Sequence, residues 1–209
     1  MKSRTPTVMV VDDDTGVRNA MRALLKSVGL ESSLFGSAQE FLATYQPSYP
    51  GCLLLDIRMP GMSGLELQQE LNLRGAVIPV IFMTGHGDIP MAVEAMQHGA
   101  FDFLQKPFRD QDLLDRIQRA LVKDEELRKS LGEHARINAH LESLTPRERE
   151  VLDLMTQGKQ NKTIGQDLGV SPRTVEIHRA RVMEKMNAQS VAELVRMMLD
   201  LAHGSPGPR

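Results

Sequence analysis

The sequence predicts an α/β domain over residues 1–121 and a small all-α four-helix domain over 144–202. A helical linker at 122–143 joins them, and residues 203–209 form a disordered tail. Three observations predict this. Five short apolar runs alternate with segments of helical period between residues 7 and 121. Residues 110–141 hold no proline and only one glycine, Gly132, as a long helix requires. Beyond Thr145 the chain breaks into short helical segments punctuated by cap signals. Alternating strand and helix implies a parallel sheet with helices on both faces.

The strands fall near 7–12, 31–35, 52–56, 79–83 and 101–105. Runs such as Val8-Met9-Val10-Val11 and Cys52-Leu53-Leu54-Leu55 suit strands buried on both faces. Helices follow near 15–28, 37–45, 64–73, 88–98 and 110–121. Gly29, Pro47, Gly61, Gly75 and Gly99 fall between elements, where turns need them. Along 110–141, Leu113, Ile117, Ala120, Leu127, Leu131 and Leu141 recur at a spacing of three to four. Asp124, His134 and Asn138 interrupt them, leaving a weak coiled coil or a solvated connecting helix. Thr145-Pro146-Arg147-Glu148 is a capping box with proline at the first helical position. Helices follow at 146–156, 160–168, 172–187 and about 190–201. Gly204 to Arg209 is rich in Pro and Gly and reads as disordered.

Composition removes several classes. The chain has 209 residues and one cysteine, Cys52, so no internal disulfide forms. Cys52 starts a buried strand and reads as a small core residue in a reducing compartment. No run is long enough to span a bilayer, and the N-terminus lacks the pattern of a signal peptide. The expected location is the cytoplasm. Net charge is −2 overall, but −3 over 1–122 and +2 over 145–209. A polyanion partner would therefore meet the C-terminal part.

Chemistry gathers at the strand ends. Asp12 and Asp13 close the first run, Asp56 the third, Thr84 the fourth and Lys106 the fifth. In an open α/β sheet these C-terminal ends share one edge, where ligands bind. Three acids, a hydroxyl and a lysine suit a hard divalent cation and a phosphoryl group. An ionised Asp56 can attack phosphorus to form an aspartyl phosphate. Thr84 and Lys106 can then meet the phosphoryl oxygens. Each residue alone has a plainer reading. The aspartates can cap a helix, Thr84 can cap a strand end, and Lys106 can sit in a solvated turn.

The stretches Val10-Val11-Asp12-Asp13-Asp14, Leu55 to Gly64, Met83-Thr84-Gly85 and Gln105-Lys106-Pro107-Phe108 resemble the receiver domain of bacterial response regulators. The likeness covers residues 7–121. It implies a flavodoxin-like five-stranded sheet of order 2-1-3-4-5. It also implies Asp56 as phospho-acceptor, a site for Mg²⁺ (or Mn²⁺) at Asp12, Asp13, Asp56 and the Arg58 carbonyl, and phosphoryl binding by Thr84 and Lys106. The Lys106-Pro107 bond is expected to be cis. Gly85 stands where the family often has Ala. Arg58 and His86 flank the path of the hydrolytic water, and their bulk and charge are expected to set the phosphate lifetime. Phe103 matches the family's switch aromatic, moving as Thr84 shifts; an ordinary core residue is the alternative. The face built from 88–121, with Met91, Val93, Ala95 and Met96 and bordered by His98 and Phe108, is expected to dimerise on phosphorylation, although core packing also explains such apolar residues.

In the C-terminal part, Gln160–Leu168, a Gly169-Val170-Ser171 turn and Pro172–Asn187 form a helix-turn-helix pattern. Lys159, Asn161, Lys162, Arg179 and Lys185 suit phosphate contacts, while Arg173, Thr174, Glu176 and His178 suit base edges. Val175, Val182, Met186 and, in part, Ile177 are expected to face the core. Leu144 to Leu152, Asn161 to Gly165, Val170 to His178 and Lys185-Met186 resemble the LuxR-type DNA-binding domain. Receiver plus this module resembles the FixJ/NarL family, and Gly85 to Val93 with Ser171 to Glu176 resembles its FixJ-like branch. NarL-like members carry lysines at Glu176 and Ala180, so base preference does not transfer from that branch.

The sequence thus reads as a DNA-binding response regulator. A sensor histidine kinase donates the phosphoryl group, a homodimer binds double-stranded promoter half-sites, and transcription is regulated, with activation and contact to RNA polymerase the usual outcome. Rival readings are a phosphotransferase working through an aspartyl phosphate, a regulator that binds DNA unphosphorylated, and an interaction adaptor. Asp56-Ile57-Arg58 lacks the second acid that a dehalogenase-like enzyme places two residues on, so turnover of outside substrates is not expected.

Overall fold

The computed structural model describes residues 5–85 and 89–203. Contacts divide the chain into two compact units between Arg128 and Lys129. The first contains β1 (Thr7–Val11), α1 (Thr15–Ser27), β2 (Glu31–Phe35), α2 (Ala38–Thr44), β3 (Gly51–Asp56), α3 (Gly64–Leu73), β4 (Val80–Thr84), α4 (Ile89–Gln97), β5 (Asp102–Gln105) and the first part of α5 (Asp110–Glu142).

The strands form one parallel sheet of order β2-β1-β3-β4-β5. Alternation along each strand separates two cores. Met9, Val11, Leu53, Leu55 and Phe82 pack with Phe41, Leu67, Leu71 and Ala95 on one face. Val8, Val10, Cys52, Leu54, Ile81 and Met83 pack with Met21, Leu25, Leu113, Ile117 and Ala120 on the other. Full burial stabilises each Val, Leu, Ile, Phe or Met side chain among them by roughly 1.5–3 kcal/mol, which fixes the register of the central strands. Chain order reverses between β1 and β3, so a crevice opens at their carboxyl ends, beside Asp12 and Asp56.

Helix starts follow the sequence signals. Asp14 caps α1 through Gly16 N (2.6 Å) and Val17 N (3.3 Å). Ser63 with Glu66, and Thr145 with Glu148, form capping boxes on α3 and on α6 (Pro146–Thr156).

Helix α5 is one unbroken element of 33 residues. It runs past the expected domain end at 121 and along the expected linker at 122–143 as far as Glu142. The first unit keeps it as far as Arg128. Asp124, which interrupts the apolar spacing of the helix, is 2 % exposed and belongs to the first unit.

The second unit holds the rest of α5, then α6, α7 (Asn161–Leu168), α8 (Pro172–Lys185) and α9 (Val191–His203). Its core gathers Ile137, Leu144, Val151, Leu152, Met155, Ile164, Val175, Val182, Met186 and Leu194. The α7–α8 turn depends on Gly169, whose φ of 67° is the left-handed conformation that glycine adopts without strain. Ile177, expected to face the core only in part, is 50 % exposed, because Val175 and Val182 define the buried side of α8 and Ile177 lies off it.

Candidate functional site

The acidic pocket forms where β1, β3 and β5 end together. Asp12 is 1 % exposed and Asp56 9 %. Lys106 Nζ lies 2.8 Å from Asp12 Oδ2 and 2.6 Å from Asp56 Oδ1, donating to both. Its own backbone N–H donates to the Thr84 carbonyl at 2.7 Å, which aligns the lysine with the end of β4. Lys106-Pro107 is cis, as expected. Thr84 is buried one residue beyond Met83, the register partner of Asp56.

Backbone groups orient the acids. Asp12 Oδ1 accepts from Asp14 N at 2.9 Å, and Asp56 Oδ2 accepts from Arg58 N at 2.8 Å. Gly64 brings α3 against the back of this strand end. A Cβ there would lie 2.2 Å from the Asp56 carbonyl oxygen, so only glycine permits the approach.

Arg18, which the sequence did not single out, anchors the turn from behind. It donates to the carbonyls of Asp12 (2.6 Å) and Asp13 (2.9 Å) and to Thr15 Oγ1 (2.9 Å). An arginine four residues into the helix after an Asp-rich strand end was the available signal.

Electrostatics follow the geometry. Burial pushes the Asp56 carboxyl up; Lys106 pulls it down, the Asp12 charge pushes it up again, and the Arg58 N–H pulls it down, leaving it raised. Burial alone would lower Lys106, but its hydrogen bonds to Asp12 and Asp56 hold it above its usual value. The pair of carboxylates is thus arranged around one cation.

The expected convergence is incomplete at one member. Asp13 is exposed at the rim, and among the described residues no three acidic, His or Cys side chains stand as a ready metal cluster. The donor chemistry still fits a hard divalent cation: buried carboxylate oxygens from two strands already hold a positive charge between them.

Around the pocket, Phe103 faces partly outward at 38 % exposure, in register with Phe82. Val93 and Met96 are exposed on α4, whereas Ala95 is in the core and Met91 packs against it. His86 lies outside the described residues.

In the second unit the expected DNA contacts separate into two sets. Lys162, Arg173 and Glu176 are exposed, and Asn161, Thr174 and Arg179 are half-buried. Ser171 Oγ meets Thr174 Oγ1 at 2.8 Å at the N-cap of α8. Lys185, expected at DNA phosphates, also has partners within the unit. Its ammonium lies 2.6 Å from Glu148 Oε2 and 3.0 Å from the Ser143 carbonyl, so it ties α8 to the capping box of α6. Glu148 is 2 % exposed, and the Lys185 hydrogen bond, with the Thr145 N–H, pulls its carboxyl down to about 2. Lys159 pairs with Asp167 at 2.8 Å. His178 turns Nδ1 inward, buried and without a hydrogen-bond partner, rather than presenting that atom to solvent.

A doubly wound domain with acids at its switch point, followed by a helix-turn-helix unit, defines a DNA-binding regulator with a sensory input domain. Residues 8–118 match the response regulator receiver domain, and residues 142–198 match the bacterial regulatory proteins of the luxR family. The chain is 49 % identical to transcriptional regulatory protein FixJ of Azorhizobium caulinodans over 92 % of this chain and 91 % of that protein. It is 48 % identical to nodulation protein W of Bradyrhizobium diazoefficiens over 91 % of this chain and 84 % of that protein. Among solved structures it resembles the response regulator StyR, with a TM-score of 0.85 and 46 % identity over 94 % of this chain and 99 % of that one. The chain belongs to the response regulators that join a receiver domain to a LuxR-type DNA-binding domain, the transcriptional regulators of two-component systems.

Proposed function

We propose that Asp56 accepts a phosphoryl group from a sensor histidine kinase and that this event controls DNA binding by the second unit. One observation carries the reading: Lys106 bridges Asp12 and Asp56 at the carboxyl edge of the sheet, with buried Thr84 closing the next strand. In the transfer, an Asp56 carboxylate oxygen forms a bond to phosphorus. The phosphorus–nitrogen bond of the donor phosphohistidine breaks, and the imidazole leaves. Lys106 and the Thr84 hydroxyl receive the phosphoryl oxygens. Asp12, Asp13, Asp56 and the Arg58 carbonyl would hold Mg²⁺ or Mn²⁺, which supplies charge neutralisation at the transferring oxygens. The chain then serves as a phospho-acceptor that loses its own phosphate, not as an enzyme on outside substrates.

Movement of Thr84 toward the phosphate gives Phe103 room to turn inward, a discrete two-state change at β4–β5. Exposed Val93 and Met96 on α4 suit a homodimer formed through the 88–121 face. A dimer places two α8 helices on promoter half-sites and raises affinity through effective concentration. Lys162 and Arg179 suit DNA phosphates; Arg173, Thr174 and Glu176 suit base edges. Activation of transcription, through contact with RNA polymerase, is the outcome this arrangement favours. Among the described residues no helix is long and apolar enough to cross a membrane.

Footprinting on genomic fragments, with and without acetyl phosphate plus Mg²⁺, tests the reading. Protection should strengthen with the phosphodonor and not in Asp56→Asn. Equal protection in every condition would refute phosphate control, and no protection would refute the DNA assignment.

A further inference from the structure

Beyond Ala120, the last residue that α5 buries in the apolar core of the first unit, the helix is held to that unit by a polar cluster. Asp124, 2 % exposed, accepts from the Gly51 N–H at 2.8 Å, the first residue of β3. Arg128 Nε meets both Asp124 oxygens, at 2.9 and 2.8 Å. The same guanidinium donates to the Pro47 carbonyl at 2.7 Å and to the Tyr49 carbonyl. One carboxylate and one guanidinium thereby fasten two turns of α5 to the loop between α2 and β3.

Apolar contact does not explain this attachment. Val122, Lys123, Glu125 and Glu126 are exposed, and Leu121 and Leu127 are only half-buried. A buried charge pair of this kind contributes little net stability compared with an apolar pair, but it fixes one geometry through its directed hydrogen bonds. Arg128 satisfies three separate acceptor groups in a plane, which a lysine ammonium cannot reproduce.

We infer that Asp124 and Arg128 are positioning residues of the output path, a clasp that makes residues 121–128 of α5 move with the receiver rather than serve as free linker. Released, those residues add to the tether that leads to the DNA-binding unit. A longer, looser tether lowers the effective concentration that phosphorylation controls. This inference rests on the phosphate reading of Asp56.

Two variants separate the clasp from simple stability. Asp124→Asn keeps an acceptor for Gly51 N–H while removing the charge that Arg128 needs. Arg128→Lys keeps a positive charge near Asp124 while losing the fork to Pro47 and Tyr49. The full-length variants should take phosphate from acetyl phosphate at the unsubstituted rate, since Asp56 and Lys106 stand at the opposite ends of the strands. Hydrogen exchange of the amides at 121–128 should quicken by about tenfold, as expected for loss of charge-assisted hydrogen bonds. The gain in DNA affinity on phosphorylation should fall by about threefold or more as the tether lengthens.

Unchanged exchange in both variants would overturn the clasp. Faster exchange with an undiminished phosphate-driven gain would show that the clasp holds the helix without transmitting, and would overturn the inference. If the unsubstituted protein shows no phosphate-driven gain, the phosphate reading fails instead, and the exchange measurement separately decides whether the clasp holds α5.

Discussion

Lys106 Nζ stands 2.6 Å from Asp56 Oδ1 while also reaching Asp12 Oδ2 at 2.8 Å, so one ammonium holds together two carboxylates that would otherwise repel. The lysine comes from the end of β5 and the acids from β3 and β1, so three strands must close correctly before this contact exists. Lys106→Met should therefore leave the Asp56 carboxyl further raised and slow its phosphorylation. Loss of a preorganised charged donor costs on the order of 10²-fold in rate. Phosphorylation by acetyl phosphate, followed over time for both proteins, checks this; an unchanged rate would remove Lys106 from the chemistry.

Arg18 acts on the same pocket from its outer side, through the Asp12 and Asp13 carbonyls. Arg18→Ala loosens the turn that aims both carboxylates without touching them. Affinity for Mg²⁺ should weaken by about tenfold, the scale of one charge-assisted hydrogen bond. Calorimetric titration with Mg²⁺ reads this directly, and an equal affinity in both proteins would contradict the role.

The Glu148–Lys185 pair makes the second unit acid-sensitive. The folded carboxyl sits at about 2 against an ordinary value of 4.5, a depressed pKa. Its contribution is fully present above the unfolded value and is lost as pH falls through the folded one. Stability of the second unit should thus decline between about pH 4.5 and 2. Exchange of the α6 and α8 amides across that range should show the decline. In Glu148→Gln this part of the pH dependence should vanish, at the cost of lower stability at neutral pH.

On the proposed DNA surface, exposed Lys162 and Glu176 should behave differently. Lys162→Ala should weaken binding to all sequences alike and reduce the salt slope by about one. Glu176→Gln should change base preference at one position by about 1–3 kcal/mol. Lys185→Gln should lower stability and leave the salt slope unchanged, because its ammonium faces Glu148 rather than solvent-exposed phosphate. Binding isotherms at several salt concentrations distinguish the three.

Much of this was legible in the chain itself. Apolar runs ending in Asp12, Asp56, Thr84 and Lys106 announced strand ends, because parallel strands buried on both faces need continuous apolar residues and release polar ones only where they emerge. Thr145, Glu148 and Ser171 announced helix starts through the backbone donors they satisfy. How far Ile177 is buried could not be read from the chain, because apolar character alone does not reveal which side of α8 packs. The pairing of Lys185 with the buried Glu148 left no trace in the sequence, because the two lie 37 residues apart and meet only when α8 packs on α6.

The strands and helices, the parallel architecture and the position of Asp12, Asp56, Thr84 and Lys106 at strand ends could be read from local period, capping and polarity. Which charges meet depended on the fold. Lys106 is 94 residues from Asp12, and Asp124 is 73 from Gly51. Pairings over such distances depend on sheet register and helix placement, to which hundreds of weak apolar contacts contribute together and no local motif records. For that reason the acids at the strand ends could be read from the chain, while the cation between them, the guanidinium behind them and the clasp on α5 could be read only from the fold.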